Sequence, residues 1–195
     1  MRLKIMLLAC ASIWICLTAA AQTEEPSLPV FSDYRATVSM GPFSKTLTLT
    51  VKQKSYSDRW KKKASEELNS PVNFAGKYRL FTYDGLNGKE CSNGGVCGWV
   101  VDKLSGQIVS ELPAVGDSNV YNQIGDNGTP TGIDFNALFK KDSTLLSLTA
   151  QTIPKKMVLD TNGYPTRPPC ETNYYKFESD KFTKIFEDKN GCNID

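Results

Sequence analysis

The side chains able to do chemistry in this chain are few, and one type is missing. The 195 residues include no histidine, which excludes a Ser-His-Asp triad, a Cys-His dyad and a histidine-ligated zinc site. Six cysteines are present; Cys10 and Cys16 lie in an apolar leader, leaving Cys91, Cys97, Cys170 and Cys192. An even number in an exported chain reads as two disulfides. Four cysteines allow three pairings, and Cys91–Cys97 with Cys170–Cys192 is favoured because each pair brackets a local, turn-rich segment. Spacings of C-x5-C and C-x21-C in an oxidising compartment suit no metal, and a catalytic thiol would lack its imidazole partner. Paired carboxylates could hydrolyse a glycan without histidine, yet no spacing brings two particular acids together. Ser-x-x-Lys, Gly-x-Ser-x-Gly, P-loop and dinucleotide patterns are absent. The expectation is a chain that is not an enzyme and takes no metal or cofactor.

The chain opens with an export signal. Arg2 and Lys4 precede the apolar run Ile5–Leu17, and Ala19-Ala20-Ala21 offers the small residues of a cleavage site. Residues 1–21 are therefore read as a signal peptide, residues 22–33 as a flexible arm containing two prolines, and residues 34–195 as one globular domain. Leu7-Leu8-Ala9-Cys10 lies too near the start to serve as a lipidation box. No second apolar run is long enough to span a membrane. The whole chain carries 23 basic and 21 acidic residues; losing Arg2 and Lys4 leaves 23 − 2 = 21 against 21. A neutral domain has no field to steer nucleic acid or anionic lipid, so no nucleic-acid partner is expected. The basic run Arg59–Lys63 is followed at once by Glu66 and Glu67 and reads as a solvated helix face.

The elements that must position any site are legible from periodicity. Lys45–Val51 alternates strictly and predicts a strand with Leu47, Leu49 and Val51 on one face. Over Ser55–Asn69 the period changes: Tyr56, Trp60, Ala64 and Leu68 recur every fourth residue, giving a helix capped by Ser55 or Ser57 and ended by Pro71. Trp60 is read as its core anchor. Beyond it, five Asn-Gly pairs begin at Asn87, Asn93, Asn127, Asn162 and Asn190. Between them lie strand candidates at Lys77–Tyr83, Gly98–Asp102, Gln107–Glu111, Ile133–Phe139 and Leu145–Thr152. A last pair, Tyr174–Glu178 and Lys181–Glu187, turns at Ser179-Asp180. The predicted class is α+β: mainly an antiparallel β-sheet meander with one amphipathic helix packed on it, stapled by disulfides.

Several of these segments together resemble a family of small exported, largely uncharacterised bacterial proteins. The resemblance rests on Asn73-Phe74-Ala75-Gly76-Lys77-Tyr78, the glycine-rich loop holding Cys91 and Cys97, the Asp102–Gly106 hairpin, Asp142-Ser143-Thr144-Leu145-Leu146 and Tyr174-Tyr175. It spans residues 55–187. Lys77 stands where that family carries histidine, and the cysteine loop is wider by one Asn-Gly turn. The resemblance implies a fold and an exported compartment and brings no activity.

Candidate binding residues are Asn73, Tyr78, Tyr83, Trp99 and Asp102. Asn73 can bond freed helix carbonyls or its own backbone, Phe74 can anchor the corner, and Gly76 permits a tight approach. Asp102 can cap its turn. Tyr83 and Trp99, with Tyr174, Tyr175 and Phe177, would form an interface anchor set if they shared an exposed face. The Cys91–Cys97 loop is expected to be an interaction loop beside Tyr83 and Trp99 rather than a structural necessity. The expected function is that of an exported, soluble, non-catalytic binding module of the bacterial envelope: an inhibitor, an immunity protein or an accessory protein acting on another envelope protein, in the periplasm or secreted. The alternative is a histidine-independent envelope hydrolase acting on glycan through a carboxylate pair.

Overall fold

A computed structural model describes residues 27–84, 89–91, 95–122, 135–166 and 168–189. The predicted α+β class holds, with antiparallel strands dominating. The strands divide between two sheets. In the first, β1 (Tyr78–Asp84) pairs with β2 (Gly95–Asp102), which also pairs with β3 (Gln107–Glu111) and the short β4 (Tyr121–Asn122). In the second, β5 (Asn136–Phe139), β6 (Leu145–Ala150), β9 (Glu171–Glu178) and β10 (Lys181–Asp188) lie in the order β10-β9-β6-β5. A small separate hairpin joins β7 (Val158–Leu159) to β8 (Pro165–Thr166).

Strand alternation explains the layering. Leu80, Val96 and Val100 of the first sheet share a core with Leu146, Leu148, Tyr175 and Phe177 of the second, and Phe74 fills the corner between them. The opposite parity, Phe81, Tyr83, Trp99 and Val101, packs against Trp60, Ala64 and Leu68 of the helix α2 (Asp58–Asn69). Sheet one is therefore the middle of three layers, and every residue of β2 is buried. Ser57 caps α2 by accepting the Trp60 N–H at 3.2 Å. Tyr56 lies outside the helix but is buried and meets Trp60 edge-on, ring centroids 4.8 Å apart.

Several expectations change. Lys45–Val51 is extended but is not a strand; it makes one bridge, Thr48 to Gln107, because the ladder beside β3 goes no further. Leu47 and Leu49 do pack on the helix-side core. Val51 instead starts a one-turn helix, α1 (Val51–Lys54), and is exposed, since Thr50 and Gln53 form a capping box that turns the chain there. Within the expected flexible arm, Phe31–Asp33 forms a 3-10 turn, and Ser143 Oγ donates to the carbonyls of Phe31 and Tyr34.

Asn73 bonds neither the helix carbonyls nor its own backbone. Its amide spans both backbone groups of Leu80, described below. The Cys91–Cys97 disulfide forms, and both cysteines are buried in the helix-side core. The two cysteines are thus part of the packing, while residues 92–94 of the expected interaction loop lie outside the described residues. Cys170 is disulfide-bonded, while Cys192 lies outside the described residues, as do the leader and four of the five Asn-Gly pairs. Among the described residues no helix is long and apolar enough to cross a membrane.

Candidate functional site

A groove of about 940 Å³ runs along one side of the three layers. α2 forms one wall through Arg59, Lys62 and Glu66; β5 forms the other through Ala137 and Phe139; the edge of β1 is the floor. β1 is the outer strand of its sheet. In an antiparallel pair the backbone groups of alternate residues point away from the partner strand. Leu80 fixes the phase here: its N–H donates to Asn73 Oδ1 at 2.8 Å, and its carbonyl accepts from Asn73 Nδ2 at 2.8 Å. The outward carbonyl of Tyr78 accepts the N–H groups of Asn73 and Phe74, and its N–H donates to Phe74. One half of the edge is thereby closed by the chain itself.

The other half differs. Thr82 and Asp84 share the phase of Leu80 in an unbroken register with β2. Among the described residues, their outward N–H and carbonyl groups have no partner. Such an edge is a template for another strand.

The charges around this floor are largely paired. Glu67, buried on α2, accepts from Arg79 Nε at 2.5 Å and lies 2.6 Å from Lys63 Nζ. Burial pushes its carboxyl upward, but the bonds from Lys63 and Arg79 outweigh that and hold it below its ordinary range. Arg59 pairs with Asp84 at 2.8 Å and lies over the Tyr83 ring.

A second polar cluster gathers at the Asn-Phe-Ala-Gly corner. Ala75 and Gly76 both adopt positive φ, and a Cβ on Gly76 would fall 2.3 Å from the Thr37 carbonyl oxygen, so only glycine fits. The turn aims Lys77 at Asp102, with 2.7 Å between Nζ and Oδ2, while Asp102 Oδ1 accepts the Leu104 N–H at 2.8 Å. The bond to Asp102 raises the Lys77 ammonium above its ordinary range. Tyr78 donates to Asp180 at 2.8 Å. Burial first, and Asp180 second, push the Tyr78 phenol up to about 12.

Of the residues singled out from sequence, Tyr83 lines the groove, and Asn73 closes one end of its floor strand. Tyr78 and Asp102 belong to the corner cluster, where both are hydrogen-bonded. Trp99 is 1% exposed and lies between Trp60 and Phe81, so it presents no area to a partner. Tyr83 is 6% exposed and offers little. Tyr175 and Phe177 are buried on the inner face of the second sheet, so the aromatic set shares no exposed face.

Sequence reasoning missed three groups. Glu67 and Lys63 were signalled by their i, i+4 spacing; Arg79 had no signal. Lys103 is nearly buried, donates to the Leu68 carbonyl at the end of α2 and lies over the Phe43 ring. Burial, then Lys45 and Arg79, lower its ammonium below the ordinary value. Glu90 accepts from the Ser57 hydroxyl at 2.5 Å, tying the segment beside Cys91 to the start of α2. No group of three or more metal-ligating side chains occurs among the described residues.

Comparison with known proteins supplies no further assignment: no family model matches the chain, and neither a search of curated proteins nor one of solved structures gave a match.

Proposed function

We propose that this chain is an exported binding module of the bacterial envelope whose groove receives an extended segment of a partner protein, added as a strand to β1. The observation that carries this reading is the edge of β1: the outward backbone groups of Tyr78 and Leu80 are closed by Asn73 and Phe74, whereas those of Thr82 and Asp84 have no partner among the described residues. Strand addition draws affinity from main-chain hydrogen bonds and specificity from the flanking walls. Here those walls are charged on the α2 side and apolar on the β5 side. The leader pattern, the disulfide and the resemblance to small exported proteins support the compartment. Inhibitor, immunity and accessory roles all use such a face. The reading assigns no catalytic residue; of the three acids lining the groove, Glu66, Glu67 and Asp84, the last two are each held by an arginine.

Thr82→Pro tests it. Proline removes the outward N–H at an edge position that tolerates it. The processed protein should capture a stoichiometric partner from envelope extract, and the variant should lose that partner while keeping its melting temperature. Amide exchange at Thr82 and Asp84 should slow in the complex. Equal capture by the variant overturns the strand-addition reading, and glycan release from purified peptidoglycan would favour the hydrolase alternative.

A further inference from the structure

The hairpin bearing β7 and β8 has no part in the groove. All twelve residues from Lys155 to Thr166 are exposed. Its own bonds hold its shape: Asp160 N–H to the Tyr164 carbonyl at 2.8 Å, Gly163 N–H to the Asp160 carbonyl at 3.0 Å, and Thr166 Oγ1 to the Val158 carbonyl at 2.8 Å. Yet this turn, which is tied to the body at its base by the Lys155 N–H to Asp117 Oδ1 bond, carries Met157 at 70%, Val158 at 60%, Leu159 at 55% and Tyr164 at 69% exposure. That concentration of exposed apolar side chains on one small element marks an interaction site.

The register tells what kind of surface could cover it. Val158 pairs with Thr166 and Leu159 with Pro165. By alternation, Met157, Leu159 and Pro165 face one side, while Val158, Tyr164 and Thr166 face the other. A flat protein surface would cover only one of these sides. A surrounding medium covers both. Lys155 and Lys156 precede the apolar residues directly, both exposed and in no ion pair with any described residue. The one acid of the turn, Asp160, accepts the N–H groups of Asn162 and Tyr164 at 2.8 Å each and so faces its own backbone. Asp117 accepts the Lys155 backbone N–H at 3.3 Å, but neither lysine ammonium is in an ion pair among the described residues. Two such groups beside a two-sided apolar and aromatic segment match the layering of an anionic bilayer surface: phosphates outside, acyl chains beneath.

We infer that the Lys155–Thr166 hairpin is a membrane-contact element that seats in the headgroup region of an anionic phospholipid surface. Without residues 1–21 the chain carries 21 basic and 21 acidic residues and provides no long-range field, so attraction is confined to the lysine pair and the contact is reversible and salt-dependent. The inference stands apart from the groove; it concerns where the protein sits rather than what it holds.

The test uses protein purified after export and leader removal, with vesicles of phosphatidylglycerol and phosphatidylcholine, or of phosphatidylcholine alone. Binding by co-sedimentation should occur on the mixed vesicles and weaken with salt. Lys155→Gln with Lys156→Gln should weaken it roughly thirtyfold. Met157→Ser with Leu159→Ser and Tyr164→Ser should abolish it. Neither variant should shift the melting temperature, because all the altered side chains are exposed. Failure of the folded wild type to bind the mixed vesicles overturns the inference and leaves a partner protein's cleft as the occupant. Binding that both variants retain overturns it too, because another surface is then responsible.

Discussion

Asn73 does with one side chain what would otherwise take a neighbouring strand. Its carbonyl oxygen and amide nitrogen match the N–H and carbonyl of Leu80 as a facing residue would. The residue thereby sets how much of the β1 edge stays available. Alanine there leaves both Leu80 groups without a partner in a half-buried setting, which should cost about 1–3 kcal/mol in a urea titration. Aspartate should be no better at neutral pH, since a carboxylate oxygen would then face the Leu80 carbonyl with no proton between them. It should recover part of the loss as the carboxyl is protonated. Equal stability of Asn73→Ala and the wild type would show that water replaces the side chain there. Lys103 illustrates the opposite economy. Its ammonium is buried with no carboxylate partner among the described residues, kept there by the Leu68 carbonyl and the Phe43 ring.

Among elements, α2 shows how the site is held. Ser57 caps it, Glu90 holds Ser57, and the adjacent Cys91 is bonded to Cys97 on β2. The disulfide thus fixes the start of the helix to the central strand, while Glu67 and Arg79 fix its far half to β1. A loop this short restricts the unfolded chain by only about 2 kcal/mol in the chain-entropy picture. Both sulfurs also fill the core beside Tyr83 and Trp99, so replacing them with serine buries hydroxyls where packed apolar atoms stood. The Cys91→Ser, Cys97→Ser double variant should therefore lose about 2–5 kcal/mol and lower the melting temperature clearly. A near-wild-type melting temperature would restore the view of the loop as mainly an interaction element.

Across the whole molecule, three tyrosines set the alkaline limit. Burial pushes the phenols of Tyr78 and Tyr175 up to about 12 and raises that of Tyr121 further. In the unfolded chain they titrate near the ordinary 10.0. Their folded values are raised, so their contribution to stability is whole below pH 10 and is lost as pH rises towards 12. Lys103, with a lowered folded value, slopes the other way just below its ordinary 10.5, but Lys52 and Lys77, whose folded values are raised, slope with the three tyrosines. Melting temperature should fall steeply between pH 10 and 12, together with the absorbance change of phenolate formation. A flat profile there would mean that these phenols are open to solvent. On the acid side, Glu67 and Glu90 have lowered folded values, so their contribution is present above the ordinary 4.5 and lost below it.

What the sequence determined by itself is what local physics determines. The four-residue recurrence of Trp60, Ala64 and Leu68 specified α2 and its buried stripe. The alternation and turn residues located β3 residue for residue, and Ser179-Asp180 turns between β9 and β10 with both φ values positive. The nearness of Cys91 to Cys97 suggested a bond that does form. Periodicity went astray at Lys45–Val51, where the alternating face is real but the partner strand is missing, because ladder formation depends on a neighbour that may lie anywhere in the chain. The site was less legible for the same reason. Whether Trp99 faces solvent or lies under a helix depends on which layer covers each side of β2. Whether Thr82 is free depends on β1 being the outer strand and on Asn73 stopping one residue pair short of it. Edges, layers and grooves arise between segments distant in sequence, and only their packing decided them.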